Sequence, residues 1–518
     1  MNGAHALIHT LVANGVDVCF ANPGTSEMQF VAALDDVPEM RAVLTLFEGV
    51  ATGAADGYGR MTGKPAATLL HLGPGLGNGI ANLHNARRAR TPIVNIVGDQ
   101  ATYHRAYDAP LTSDIDALAR NVSGWIRDTI TPEHVARDAA DAVVAALAPP
   151  GQIATLILPA DTTWLEAGPP AGRSEFASRR EVPGDTIDVV AKALRSGEPA
   201  ALLLGGAALD ERALVAASRV AWTAGAKLLA EVFPARLQRG AGLPAVERLG
   251  YFAEFVMAQL QGVRHLVLVD APAPVSFFAY PDKPSSLVPD GCEVHTLALD
   301  ADDVSLALEH LAGALGAETG AAVVQAAARP DRPKGALTAE TVAQAVGAVL
   351  PEGAIVADEA QTGGLYASGA TAGAPRHDWL TLTGGAIGQG LPLATGAAVA
   401  CPDRPVICLE ADGSAMYTLQ ALWTQAREGL NVTTVLLDNR SYAILNIELG
   451  RVGAGAGGPR AQSLLDLSNP NLDFVALAQG MGVDASRPET AQDLTTALER
   501  AIGEPGPHLI SASLPSRL

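Results

Sequence analysis

Short apolar runs recur along the chain, each closed by glycine, proline or an acid-amide turn, with longer Ala-rich stretches of helical spacing between them. "VDVCFANPG", "AATLLHLGPG", "PIVNIVGD" and "ATLILPAD" form a first group. "AALLLGGAAL", "AKLLAEV", "HLVLVDAPA" and "EVHTLALD" form a second, and "AIVADEA", "PVICLEADG", "VTTVLLDN" and "HLISASL" a third. Strand-like runs alternating with helical segments predict α/β units with parallel sheets. Two stretches break the alternation, "LEAGPPAGRSE" at 165–175 and "GAAVVQAAARPDRPKGAL" at 320–337, and their Pro, Gly and Ala content reads as linker. The expectation is three doubly wound parallel-sheet domains at 1–165, 175–318 and 336–518, the last opening with a helix near 338–350. The three blocks are alike in size and pattern, but no residue-level repeat is visible.

A chain of 518 residues accommodates about three domains of ordinary size. Hydrophobic residues make up 48% and aromatics only 4%, so the cores must be built from small and aliphatic side chains. The net charge of −20 argues against nucleic acid, which selects basic surfaces. Cys19, Cys292, Cys401 and Cys408 form no C-x-x-C pair and predict neither a disulfide framework nor a zinc site. The first twenty residues lack a basic leader and a cleavage site, and no uncharged apolar run reaches about 18 residues. A cytoplasmic protein with no membrane partner is expected.

Two neighbouring segments end on oxygen-bearing side chains: "CLEADGSAMYT" at 408–418 and "VLLDNRSYAI" at 435–444. "PVICLE" reads as a strand, "ADGS" as a turn, "AMYTLQALWTQAREG" as one helix ending on Gly429, and "NVTTVLLD" as the next strand. Asp412 and Asn439 then stand at the carboxyl ends of adjacent parallel strands, where α/β folds bind ligands. Mg²⁺ takes hard oxygen ligands in an octahedron that phosphate and water complete. Asp412, Asn439 and a backbone carbonyl near Ser441 meet that requirement. Gly413 lets the backbone approach closely, and the helix start after Ser414 offers amide donors to phosphate. Two ordinary polar turns are the alternative.

The run from Asp412 to Asn439 resembles the metal and diphosphate signature of thiamine-diphosphate enzymes. It departs at Ala411, where that signature has glycine, and at Asp438, where it has a first asparagine. "NPGTSE" (22–27), "LFEGVATGAADGYGRMTGKPA" (46–66) and "LHLGPGLGN" (70–78) are similar to the pyrimidine-binding domain of the acetolactate synthase and benzoylformate decarboxylase superfamily. "TGGAIGQGLP" (383–392) and "ALWTQAREGLNV" are similar to its diphosphate-binding domain.

The resemblance implies roles. Glu48 would hydrogen-bond the aminopyrimidine ring, and Ile387 would prop the bent cofactor beneath its two rings. Thr362, Gly385, Ala411, Gly413, Ser414 and Gly75 would complete the cofactor's surroundings, and Asp412, Asn439 and Ser441 would hold Mg²⁺. The glycines of "GPGLGNG" invite a dinucleotide reading, but Asn78 stands where that motif needs its last glycine; the resemblance makes the segment a loop bordering the substrate. His71 beside it is a candidate proton-transfer group. Thr25 either contacts a substrate carboxylate or caps the following helix. His104 is a further catalytic candidate, and Arg105 a candidate carboxylate clamp. A benzoylformate decarboxylase uses a second histidine from its middle domain, whereas "APVSFFAYP" (273–281) has none, with Ala279 at the best-matching position.

The resemblance implies an acetolactate-synthase-like enzyme that decarboxylates a 2-oxo acid and transfers the acyl anion equivalent to a second carbonyl. Alternatives are a simple 2-oxo acid decarboxylase and a non-catalytic regulatory homologue; intact Glu48, Asp412 and Asn439 oppose the latter. The resemblance further implies a homodimer or homotetramer with active sites between subunits. It leaves FAD open: acetolactate synthases carry it in the middle domain, and residues 175–315 show no flavin signature.

Overall fold

The computed structural model describes every residue except 318, 320, 321, 517 and 518, so the expected middle-unit boundary at 318 and the final residue lie outside the described residues. Three sheets run through it. The first contains β1 (Val18–Asn22), β2 (Arg41–Leu44), β3 (Ala66–Leu70), β4 (Ile93–Asp99), β5 (Trp125–Asp128) and β6 (Ile153–Pro159), all parallel, in the order β2-β1-β3-β4-β6-β5. The next segment supplies β7 (Ala200–Leu204), β8 (Lys227–Ala230), β9 (Leu237–Arg239), β10 (Glu247–Arg248), β11 (His265–Val269) and β12 (Glu293–Ala298). The last supplies β13 (Ile355–Glu359), β14 (His377–Thr381), β15 (Val406–Ala411), β16 (Val432–Asp438), β17 (Asp484–Ser486) and β18 (His508–Ser513). The middle sheet has the order β10-β8-β7-β11-β12 and the third β17-β18-β16-β15-β13-β14-β9.

Helices cover both faces, so the central strands are apolar throughout rather than alternating. β4, β6 and β16 are buried at every position. One strand departs from the all-parallel expectation. β9 lies in the middle segment by sequence but pairs antiparallel with β14, His377 opposite Arg239, at the edge of the third sheet. Its three residues are too few to announce themselves by pattern.

The first and third units lock through one close helix pair, Glu48–Thr62 against Gly390–Ala400. A Cβ on Gly396 would sit 1.8 Å from the Ala54 carbonyl oxygen, and one on Gly57 2.1 Å from that of Leu393, so only glycine permits this approach. Buried polar groups fix the register. Asp56 accepts from Arg60, from Thr91 and, at 2.7 Å, from Gln389 Nε2 of the third unit, and Arg60 donates to the Thr381 carbonyl. This seam sets where Glu48, at one end of its helix, stands relative to the 385–390 turn.

Candidate active site

β15 and β16 are adjacent and parallel, with Ala411 opposite Leu437, so Asp412 and Asn439 emerge side by side at their carboxyl ends. Asp412 is buried; its Oδ1 accepts from Gly413 N–H at 2.8 Å and its Oδ2 from Arg440 N–H at 2.6 Å. Burial pushes its carboxyl up to about 6, opposed by those amide donors. A cation placed there would relieve that cost. Asn439 Oδ1 accepts from Ser441 N–H at 2.9 Å, and Arg440 between them takes a left-handed conformation with φ 56°. The Ser441 hydroxyl donates to Leu465 O, while among the described residues its carbonyl accepts no hydrogen bond and remains available. Ala411 precedes the helix Asp412–Thr418, and Ser414 is buried in its first turn. A Cβ on Gly413 would lie 2.4 Å from the Tyr442 ring, so it is the packing of Tyr442 that requires glycine here. The single helix expected from Ala415 to Gly429 is broken: Asp412–Thr418 and Ala421–Glu428 are separate, and only the left-handed stop at Gly429 is as expected.

The 385–390 turn lies beside β13 and β15. Gly385 (φ 75°) is exposed, and a Cβ on it would lie 2.8 Å from Phe277 of the middle unit; Ile387 is half-buried. Glu359 anchors the turn, its Oε1 accepting from Gly388 N–H at 2.8 Å and its Oε2 from Gly390 N–H at 2.5 Å. Glu410 is its register partner on β15. Both carboxyls are wholly buried, and burial raises both, with Glu410 pushed further by Glu359. Two such neighbours cannot both ionise, so Glu410 carries the proton and Glu359 the anchoring charge. Thr362 lines a cavity of about 420 Å³ at the seam of the middle and third units, together with Glu359, Phe233, Tyr251 and Ile444.

In the first unit, Glu48 opens its helix and is buried, and its Oε2 accepts from Asn78 Nδ2 at 3.0 Å. A Cβ on Gly75 would lie 3.2 Å from Glu48 Oε1, so Gly75 acts by leaving room for that carboxylate. "GPGLGNG" is not a loop: it forms the opening turns of a helix, Leu72–Ala89, that starts at once after His71. His71 Nδ1 lies 2.8 Å from Glu27 Oε2. Glu27 is buried, also accepts from Gly24 N–H at 2.7 Å, and has Oε1 unpartnered. Burial raises its carboxyl, and His71 and the Gly24 amide pull the other way.

Thr25 is exposed and caps nothing; Glu27 closes the turn instead, because its longer side chain reaches back to the Gly24 amide. His104 sits beside a short turn with its ring 5.8 Å from Tyr107, and no contact joins it to His71 or Glu48 among the described residues. Arg105 is not a free clamp: Asp128 takes it with two bonds of 2.7 and 2.9 Å, and Asp99 lies 2.7 Å away. Ala279, at the position best matching the second histidine of a benzoylformate decarboxylase, is exposed beside Phe277 and Phe278. Glu27 and Glu359 are the residues the sequence reading missed. The Gly24-x-x-Glu27 spacing was a usable signal for the first; Glu359 had none beyond lying at a strand end.

Two family models match these segments. Residues 1–120 match "Thiamine pyrophosphate enzyme, N-terminal TPP binding domain" and residues 364–512 match its C-terminal TPP binding domain. The chain belongs to the thiamine pyrophosphate enzymes. It is 61% identical over 517 residues, covering 100% of this chain and 99% of the relative, to a Mycobacterium tuberculosis (strain H37Rv) protein provisionally named as the acetolactate synthase large subunit IlvX. It is 30% identical to the benzoylformate decarboxylase of Pseudomonas aeruginosa, covering 96% of each. Among solved structures, the Rhodococcus jostii RHA1 thiamine diphosphate-dependent 4-hydroxybenzoylformate decarboxylase superposes with a TM-score of 0.88 at 26% identity, covering 99% of both chains. The three-sheet α/β architecture is therefore that of a thiamine-diphosphate-dependent enzyme related to both activities. Among the described residues, no helix is long and apolar enough to cross a membrane.

Proposed function

We propose that the protein is a carboligase that decarboxylates a 2-oxo acid and passes the resulting acyl anion equivalent to a second carbonyl. The observation that carries this reading is the wall facing Gly385. Where a simple decarboxylase needs a second proton donor from the middle domain, this chain presents the ring of Phe277, backed by Phe233 at a centroid distance of 5.8 Å and Tyr251 at 5.3 Å. This aromatic wall brings no second imidazole to the site, which favours passing the acyl anion equivalent to a carbonyl electrophile. The provisional acetolactate synthase name of the 61% identical relative supports the same reading.

Bound thiamine diphosphate supplies a nucleophilic thiazolium carbon and an electron sink. The residues present fit it. Asp412, Asn439 and the free Ser441 carbonyl are a hard-oxygen set suited to Mg²⁺ holding the diphosphate, and the amides from Gly413 onward can meet phosphate. Ile387, on a turn pinned by Glu359, can support the ring system. Glu48 can hold the aminopyrimidine, and Asn78 fixes its carboxylate. His71, oriented by Glu27, is the proton-transfer group on the first unit.

FAD fits poorly. In the middle sheet, β7 and β11 flank the point where strand order reverses, the place where such folds cradle a dinucleotide. Here the Gly206 N–H is taken by Glu231 at 3.3 Å and the Ala207 N–H by Asp270 at 2.8 Å. A diphosphate would meet two carboxylates in place of free amides, so we infer that no flavin binds.

A homodimer or homotetramer with shared sites suits the exposed apolar side chains around both halves of the site: Leu46 beside Glu48, Met416 and Tyr417 after Ser414, and Leu445 and Ile447 after Ser441. A second copy would cover them.

The test is to incubate purified protein with thiamine diphosphate, Mg²⁺ and a panel of 2-oxo acids, following CO₂ and identifying organic products by mass spectrometry. A coupled hydroxyketone supports the proposal. An aldehyde as sole product overturns it in favour of decarboxylation. Chelation with EDTA should abolish turnover, and Mg²⁺ should restore it.

A further inference from the structure

At the opposite end of the middle sheet, away from the cofactor crevice, three strand starts bring together ligating groups that the proposed reaction does not use. His265 begins β11; Glu293 begins the neighbouring β12, with His295 two residues on; Glu198 just precedes β7. His265 Nδ1 lies 3.1 Å from His295 Nε2. Glu293 Oε2 is 3.7 Å from the first nitrogen and 3.8 Å from the second. On the far side of the ring, His265 Nε2 lies 3.1 Å from Glu198 Oε2.

We propose that His265, His295 and Glu293 form a binding site for a divalent transition-metal ion, with Zn²⁺ the best-suited occupant and Glu198 as its orienting carboxylate. The three ligand atoms form a triangle of 3.1, 3.7 and 3.8 Å sides. The point equidistant from its corners lies about 2.1 Å from each, which is the bond length Zn²⁺ makes to imidazole nitrogen and carboxylate oxygen. The tautomers also suit a metal. Glu198 accepts the Nε2 proton of His265, so Nδ1 points its lone pair at the triangle, as in carboxylate–histidine–zinc arrangements. The carboxylates of Glu293 and Glu198 supply negative charge that a divalent cation balances. The histidine rings are largely buried while Glu293 is exposed, which leaves an entry path and an open coordination position.

The other constellation of this kind among the described residues, Asp484, Glu504 and His508, behaves differently. The Arg500 guanidinium already occupies it, bonded to Asp484 at 2.5 Å and to Glu504 at 3.1 Å. At the His265 site no protein cation fills that place among the described residues. A bound ion there would tie the starts of β11 and β12 directly and that of β7 through Glu198.

The test is isothermal titration of Zn²⁺ into protein stripped with EDTA and reconstituted with thiamine diphosphate and excess Mg²⁺. One Zn²⁺ per chain with micromolar or tighter affinity is expected, with a rise in melting temperature. His295→Ala should weaken binding at least tenfold and Glu293→Gln by a smaller factor, both with turnover unchanged. Co²⁺ should give visible ligand-field bands in the parent that His295→Ala removes. Absence of saturable Zn²⁺ binding to the parent protein overturns the proposal, and so does binding that both substitutions leave intact.

Discussion

Glu27 Oε2 stands 2.8 Å from His71 Nδ1 in a pocket that buries the acid and leaves the histidine partly open. The contact assigns the Nδ1 proton to the Glu27 side, so Nε2 is the nitrogen that the proposed proton transfer would use. Glu27→Gln keeps the shape but replaces the charge that holds this tautomer. Turnover should fall roughly 10- to 100-fold. In a double variant with His71→Ala the two losses should not add, because they remove one function. A parallel change in the pH profile of kcat/KM for Glu27→Gln would separate this role from simple packing. Additive losses would sink the idea.

Gly75 matters through the carboxylate it faces. A methyl group 3.2 Å from Glu48 Oε1 forces that oxygen to give way. Gly75 has ordinary helical backbone, so Gly75→Ala should fold normally and carry little cost in melting temperature. It should nevertheless lose much of its turnover while still binding thiamine diphosphate. Glu48→Gln should do the same more severely, about 100-fold or more. Cofactor binding measured by titration and CO₂ release measured together would show whether the two effects separate as stated.

How far the sequence carried follows from what kind of signal each feature leaves. Strands buried on both faces wrote themselves as unbroken apolar runs, which is why β4, β15 and β16 were legible. The placement of Asp412 and Asn439 at the carboxyl ends of neighbouring strands was legible because each follows an unbroken apolar run. Interactions made across the chain left no such trace. β9 is three residues long and pairs with a strand 140 positions away. Glu359 matters only because Gly388 and Gly390 fold back onto it. The "GPGLGNG" helix was hidden because glycine ordinarily weakens helices; here it is kept for space, with Gly75 against Glu48 and Gly79 against Thr52. Arg105 looked like a substrate clamp only while Asp99 and Asp128 were out of view.

The middle unit should be colourless. With Glu231 and Asp270 holding the Gly206 and Ala207 amides, purified protein should lack the absorbance of bound flavin near 450 nm and should show no thermal shift on adding FAD. Asp270 also pairs with Arg90 of the first unit, so this carboxylate is part of a domain contact rather than a loose side chain. Stoichiometric flavin in the purified protein would mean that this crevice rearranges.

His377 should shape the acid limb of stability. It lies on β14, 3% exposed, with Nδ1 donating to the Pro375 carbonyl at 2.7 Å and Nε2 buried without a partner. Burial, with Arg239 adding to it, lowers its pKa to about 4 from an ordinary 6.5. Between those values the unfolded chain takes up a proton that the folded chain refuses. Stability therefore falls as pH drops from about 6.5 to 4, by at most about 3 kcal/mol from this one group, and is unaffected by it above that window. His377→Gln keeps a donor for Pro375 and cannot titrate. Its stability relative to the parent should rise steadily as pH falls through the window, read from urea midpoints at matched pH. A constant difference from pH 7 to pH 4 would show that His377 becomes protonated in place, and that the β9–β14 edge opens to let water reach it.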